Sequence, residues 1–266
     1  VSAPVRSLAH KYNLLLCRLC DGLIAVNPSL MRELIDEGVP GERMVCIPNT
    51  VDFLDYDPSA FDAAAIKREL NLPLDVPVIG TAGRLAPVKN LHVFLLTAKE
   101  LLDRGWRARF VLIGDGLLRK ELEAFARQLG IVEHVVFTGW RVDIARMLSV
   151  LDIFVLTSLR ETGPIAALEA MALEKPVVAS DVECIAVAVR NGETGLLARP
   201  NDPSSFAEAL SVLLRDKDEA LRLSHAGRRL VKEDFSGPSM VQRTLELYRN
   251  ILGRKISQVP ADALAA

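Results

Sequence analysis

Two clusters in this chain have residue types and spacings that could do chemistry. The first is GRLAPVKN, where Arg84 directly follows Gly83 and Lys89 stands five positions later. An arginine offers a fork of N–H donors and a lysine a compact charge, a pairing suited to a diphosphate. Lys89 is expected where a helix opens, and helix N-termini carry unpaired N–H groups that attract anions. The competing reading is a surface cation at a helix start, where a cation is mildly unfavourable. The second cluster is RETGPIAALEAMA, with Glu161 and Glu169 separated by seven residues. Gly163 and Pro164 predict a helix start, with proline at the first helical position. Glu169 then falls between one and two turns inside, among Ile165, Ala166, Ala167, Leu168, Ala170 and Met171. A carboxylate in so apolar a helix needs a partner. Being acceptor-only when ionised, it would suit two adjacent ribose hydroxyls. An internal salt bridge for Glu169 and simple exposure for Glu161 remain open alternatives.

Such clusters need a scaffold, and the sequence between Val76 and Arg190 predicts one. Short aliphatic runs alternate with helical patterns: PVIGTAG, RFVLIGDG, HVVFTGW, DIFVLTS and PVVAS precede helices near 90–104, 117–129, 143–150, 164–173 and 185–190. The runs are continuously apolar, as strands covered on both faces are. Strand–helix alternation at this spacing implies right-handed βαβ units, so the predicted class is α/β with a doubly wound parallel sheet. Ligands of such sheets bind beyond the carboxyl ends of the strands. Gly83, Gly114, Gly116, Gly139, Thr157, Ser158 and Ser180 stand there, all small enough to let a ligand approach the backbone. Tight strand-to-helix turns are the plainer explanation for any one of those glycines.

Outside that core, a helix (7–20), a strand-like GLIAVN, a helix (29–37) and a short strand MVCIP lead in. Helical periodicity dominates the segments 203–214, 218–232 and 238–252, the last expected to stop at Gly253. The tail after Arg254 contains Pro260 and reads as frayed.

Composition narrows the function. With 266 residues, half of them hydrophobic, the chain can bury a large core. A formal net charge of −2 argues against a nucleic-acid partner. The basic triplets Arg104/Arg107/Arg109 and Arg228/Arg229/Lys232 read as solvated helix faces and ends. Cys17 and Cys20 have metal-like spacing but no second pair follows, so they read as buried thiols and no metal site is expected. Cysteine usage and the lack of a span-length apolar run or secretory signal predict a cytoplasmic protein. The chain begins at Val1 directly in a helical segment, which suggests a fragment.

An ordered motif set covers most of Cys46–Asp202: CIPNTVD, GTAGRLAPVKN, VLIGDG, VVFTGW, LDIFVLTS through RETGPIAALEAMA, PVVAS and NGETGLLARPND. In this order they resemble the donor-binding side of glycosyltransferase family 4, which has the GT-B fold. The Glu161–Glu169 spacing is the most specific match. The resemblance implies transfer of a sugar from a UDP- or GDP-sugar to a glycan or lipid-linked acceptor, with retention and without a bound metal or resident cofactor. It implies that Arg84 and Lys89 neutralise the diphosphate and that Glu169 holds the ribose. Glu161 would lie near the transferred sugar, the backbone of Gly163, Pro164 and Ile165 would cap the phosphates or sugar, and Trp140 and Arg141 would lie near the base. It divides the chain into 1–50, a remnant of an acceptor-side domain; 51–235, the nucleotide-sugar domain; and 236–266, a crossing helix and tail. That last helix should expose an apolar stripe or be covered by the missing domain or another partner. Membrane contact would be peripheral at most, at the inner face.

One stretch departs from the family. After PVVAS comes DVECIAVAV, with Glu183 and Cys184 where two glycines are common, and an acid there could repel phosphates. A non-catalytic nucleotide-binding or assembly module is therefore the alternative. A GT-B epimerase is a third reading, which leaves the full motif set unexplained.

Overall fold

A computed structural model describes residues 3–257. In chain order the elements begin with α1 (Ala3–Leu19), β1 (Leu23–Ala25), α2 (Pro28–Asp36) and β2 (Met44–Cys46). Next come α3 (Ala63–Glu69), β3 (Val78–Ala82), α4 (Leu91–Asp103), β4 (Arg109–Ile113), α5 (Arg119–Gln128) and β5 (Val135–Gly139). The chain continues through α6 (Ile144–Ser149), β6 (Ile153–Leu156), α7 (Ile165–Ala172), β7 (Val177–Ser180), α8 (Glu183–Ala186) and β8 (Leu196–Ala198). It closes with α9 (Pro203–Arg215), α10 (Lys217–Asp234) and α11 (Gly237–Ser257). Two compact units result, one of residues up to Asn49 together with those from Gly237, the other Thr50–Ser236.

The larger unit carries a six-stranded parallel sheet in the order β5-β4-β3-β6-β7-β8. Alternate residues of each strand enter opposite cores, which is why the apolar runs are unbroken. Val111, Ile113, Phe154 and Leu156 pack on one face with α6, α7 and α10 residues such as Leu148, Leu168 and Val231. Phe110, Leu112, Ile153 and Val155 pack on the other with Phe94, Leu122 and Phe206 from α4, α5 and α9. The expected doubly wound α/β class is therefore what the chain forms. After β3 the winding runs through β4 to β5, then restarts at β6 on the other side. The carboxyl ends of β3 and β6 thus flank the topological switch point, the usual ligand crevice of such sheets.

In the smaller unit β1 and β2 pair in parallel over Ala25, Val39 and Met44. α2 is started by Pro28 and capped by Asn27, whose side chain accepts the Leu30 N–H at 2.7 Å.

Several expectations need correction. β8 was not predicted: Leu196–Ala198 is too short to stand out as an apolar run, and pairing with β7 is what makes it a strand. α11 continues through Gly253 to Ser257, since no proline or left-handed cap forces a stop at the glycine. The expectation for the tail beyond Ser257 lies outside the described residues. Cys17 is only half-buried and Cys20 is exposed just past α1, so the pair is not a buried thiol face. No group of three or more metal-binding side chains occurs among the described residues. Arg228 is not a solvated charge. Its guanidinium stacks 4.4 Å from the Phe53 ring centre and donates to the carbonyls of Tyr56 and Ala172. No described helix is long and apolar enough to cross a membrane.

Candidate functional site

The loop after β3 and the loop after β6 meet at the switch point. Beyond Ala82 the backbone turns at Gly83, with φ of +143°, and Arg84 follows, exposed to solvent. A single 3-10 turn, Pro87–Lys89, comes next, and then Asn90 in the left-handed conformation before α4 begins. Lys89 therefore stands just ahead of the long helix rather than in its first turn. Its side chain folds back over Gly83, where a Cβ would sit 3.6 Å from the lysine Cε.

Lys89 Nζ is bound to Glu161 Oε1 at 2.6 Å, with the lysine side chain 22% and the glutamate 10% exposed. Ser158 Oγ donates to the same oxygen at 2.6 Å, and the Glu161 N–H donates to Cys184 Sγ at 3.2 Å. Two further bonds zip the loops together: Thr157 Oγ1 to the Lys89 carbonyl at 2.8 Å and the Leu159 N–H to the Val88 carbonyl at 2.9 Å. Gly83, Arg84, Lys89 and Ser158 line one cavity, floored by Ile113 and Leu156. Among the described residues Arg84 has no ion pair, so two cations and one carboxylate converge on the crevice.

The glycines at the neighbouring strand ends have a structural reason of their own. A Cβ at Gly114 would lie 2.1 Å from the Gly83 carbonyl oxygen, and its φ of +130° excludes other residues. The Gly114 N–H in turn donates to the Gly139 carbonyl at 3.0 Å. These two glycines let three strand ends close on one another, so they shape the crevice edge whether or not a ligand contacts them.

Glu169 lies on α7, more than half buried. Its partner is Tyr56, whose hydroxyl donates to Oε1 at 2.6 Å across 113 positions. The alternative of an internal salt bridge is not what forms: no ion pair to Glu169 occurs among the described residues. Burial lifts the Glu169 carboxyl above the ordinary glutamate range, opposed by the Tyr56 hydrogen bond. Burial, and then Glu169 itself, push the Tyr56 hydroxyl up, so it stays a donor. Pro164 is the N-cap of α7 rather than its first residue, and the Ile165 N–H is already taken by the Gly163 carbonyl at 2.8 Å.

Among the described residues no hydrogen bond or ion pair ties Trp140 or Arg141 to this cluster. Trp140 is 74% exposed just past β5. Arg141 is held in a two-pronged pair with Asp143, at 2.8 and 2.6 Å. Sequence reasoning missed Tyr56 altogether, and no local signal marks it. Cys184 was noticed only as a departure; it proves to be buried under the Glu161 amide, while Glu183 beside it is exposed.

Comparison with known proteins places this geometry in context. A family model described as glycosyl transferases group 1 matches residues 62–230. The D-inositol 3-phosphate glycosyltransferase of Nocardia farcinica is 34% identical over 240 residues, covering 86% of this chain and 52% of that one. The Escherichia coli UDP-Gal:alpha-D-GlcNAc-diphosphoundecaprenol alpha-1,3-galactosyltransferase is 30% identical over 216 residues, covering 80% and 56%. The chain thus spans about half the length of the curated relatives it matches. Among solved structures, Anabaena HepE in complex with UDP and glucose superposes with a TM-score of 0.83 at 23% identity, covering 90% of this chain and 66% of that one. The C-terminal domain of a group 1 family protein from Francisella tularensis gives 0.63 at 26% identity, covering 70% and 99%.

Proposed function

The chain belongs to the group 1 glycosyl transferases, and from that premise we propose that its Thr50–Ser236 unit binds the nucleotide sugar of a retaining, family 4 type transferase. The observation that carries this reading is the Lys89–Glu161 pair, which spans the switch point over Gly83 with Arg84 beside it. A diphosphate entering the crevice gives Lys89 a doubly charged partner and leaves Glu161, still fixed by Ser158, facing the transferred sugar. Negative charge develops on the diphosphate as the glycosidic bond breaks. Lys89, held in a partly dry crevice with Arg84 beside it, stabilises that charge more than it stabilises the bound donor, which is the source of the rate. Glu169 takes the ribose hydroxyls, the α7 N-terminus contributes its partial positive charge, and Trp140 and Arg141 border the base. The UDP named in the HepE complex makes UDP the first nucleotide to try, with GDP beside it.

Thermal melting tests the reading. UDP or GDP at about a hundred times its Kd adds roughly 2.7 kcal/mol, a rise of about 5–11 °C for a chain of this size. Glu169→Ala should remove most of that rise. Acid should remove it too. A glutamate whose pKa is raised on folding holds its proton more firmly folded than unfolded, so its own contribution weakens the fold as pH rises beyond the ordinary glutamate range. Ribose binding needs the ionised form. The nucleotide-induced rise is therefore full above the raised pKa and lost as pH falls through it, earlier than an exposed glutamate would dictate. Absence of any rise with either nucleotide at millimolar concentration contradicts the proposal.

The acceptor, a glycan or lipid-linked glycan, is assigned to an N-terminal domain of which the segment up to Asn49 is the end. Two apolar stripes support this. α1 exposes Tyr12, Leu15, Leu16 and Leu19, and α11 exposes Val241, Leu245, Tyr248 and Leu252, both at helical spacing. Val241→Lys with Tyr248→Lys is expected to leave the melting of this chain within about 0.5 kcal/mol. The same pair should weaken association with that domain supplied in trans; undiminished association contradicts the assignment.

A further inference from the structure

Tyr56 ends a segment that the molecule fastens at several points. The Val51 N–H donates to the Phe235 carbonyl at 2.9 Å, and a 3-10 turn, Phe53–Asp55, leads directly to Tyr56. The tyrosine is buried, yet its hydroxyl reaches Glu169 at 2.6 Å. Arg228 of α10 secures both sides of that bond. It donates to the Tyr56 carbonyl at 3.3 Å and to the carbonyl of Ala172, the last residue of α7, the helix that carries Glu169. One guanidinium thus ties together the two backbone pieces that meet at the Tyr56–Glu169 hydrogen bond.

A glutamate side chain has free rotation at its carboxylate unless something fixes it, and an unfixed acceptor loses entropy when it grips a ligand. A donor on one oxygen fixes the plane and leaves the second oxygen to accept. We propose that Tyr56 is a positioning residue for the ribose-binding acid: it holds Glu169 Oε1 so that Oε2 takes the sugar hydroxyls, with Arg228 setting the register of the two segments. This rests on the reading of Glu169 as the ribose acid.

Tyr56→Phe keeps the buried ring and removes only the donor. The test is calorimetric titration of UDP, GDP and their 2′,3′-dideoxy forms into wild-type chain, the Tyr56→Phe variant and the Arg228→Lys variant. Wild type should prefer the ribonucleotide. Tyr56→Phe should lose about tenfold on the ribonucleotide, the range expected for one hydrogen bond to a charged group, and little on the dideoxy form. The preference therefore collapses without general loss of binding. Arg228→Lys, which keeps the charge but not the fork, should move the preference the same way by a smaller factor. Equal weakening of both nucleotides by Tyr56→Phe overturns the proposal in favour of a general structural role. Undiminished preference also overturns it. Tighter ribonucleotide binding by Tyr56→Phe would mean that the hydroxyl occupies the place of the sugar, which overturns it as well. Wild type that binds both forms equally defeats the ribose reading of Glu169 itself, and this inference with it.

Discussion

On the proposed donor-binding reading, Lys89→Ala is expected to abolish the nucleotide-induced stabilisation of this chain and to lower any sugar transfer it supports about 100- to 1,000-fold, the loss seen when one preorganised charge-stabilising donor is removed. Two effects combine in that variant. The diphosphate loses the cation that lies over Gly83, and Glu161 loses its partner in a place where its side chain is only 10% exposed. Ser158 still donates to Glu161, so the second effect is limited to about 1–3 kcal/mol of stability. A double-mutant cycle separates the two. Lys89→Ala with Glu161→Gln removes both charges, and the melting temperature should recover toward wild type while the nucleotide response stays absent. A double variant that recovers both would place the diphosphate elsewhere.

Gly114→Val should be the most damaging single change to the fold at the crevice, costing about 4 kcal/mol or more, in the exceptional range for point variants. Its Cβ would overlap the Gly83 carbonyl oxygen, which is backbone and has no side-chain rotation to escape by. Gly105→Ala supplies the control. Gly105 also has positive φ, +86°, but open space around the missing Cβ, so only the conformational cost of about 1–2 kcal/mol should appear. Urea unfolding of both variants measures the difference. Near-equal losses would show that the Gly83–Gly114 approach is softer than the backbone geometry requires.

The parts of this molecule that were legible in its sequence are those where one residue's type answers to its immediate neighbours. Val111, Phe154 and Val155 stand in unbroken apolar runs because helices cover both sheet faces, and the runs alone predict that. Gly83 and Arg84 at a strand end, followed by Lys89, mark the β3 side of the crevice within seven positions. Glu169 is conspicuous because its neighbours are apolar. What stayed hidden depends on distant partners. Leu196–Ala198 becomes a strand only beside β7. Tyr56 matters only because α7 brings Glu169 to it from 113 positions away. Arg228 looks like one member of a surface basic patch until the Phe53 ring is placed under it. The strand-end glycines teach the converse lesson. Gly114 is small enough to admit a ligand, yet the carbonyl of Gly83 already requires a glycine there.

In the proposed complex a nucleoside diphosphate lies across the β3–β6 switch point, with its phosphates on Lys89 and Arg84 and its ribose on Glu169. A crystal structure of this chain soaked with UDP or GDP tests it most directly. Phosphate oxygens are expected within hydrogen-bond distance of Lys89 Nζ and the Arg84 guanidinium, and both ribose hydroxyls on the Glu169 carboxylate, with Tyr56 still bound to its other oxygen. Nucleotide density elsewhere on the sheet edge, with Lys89 still closed on Glu161 and Glu169 untouched, would contradict it.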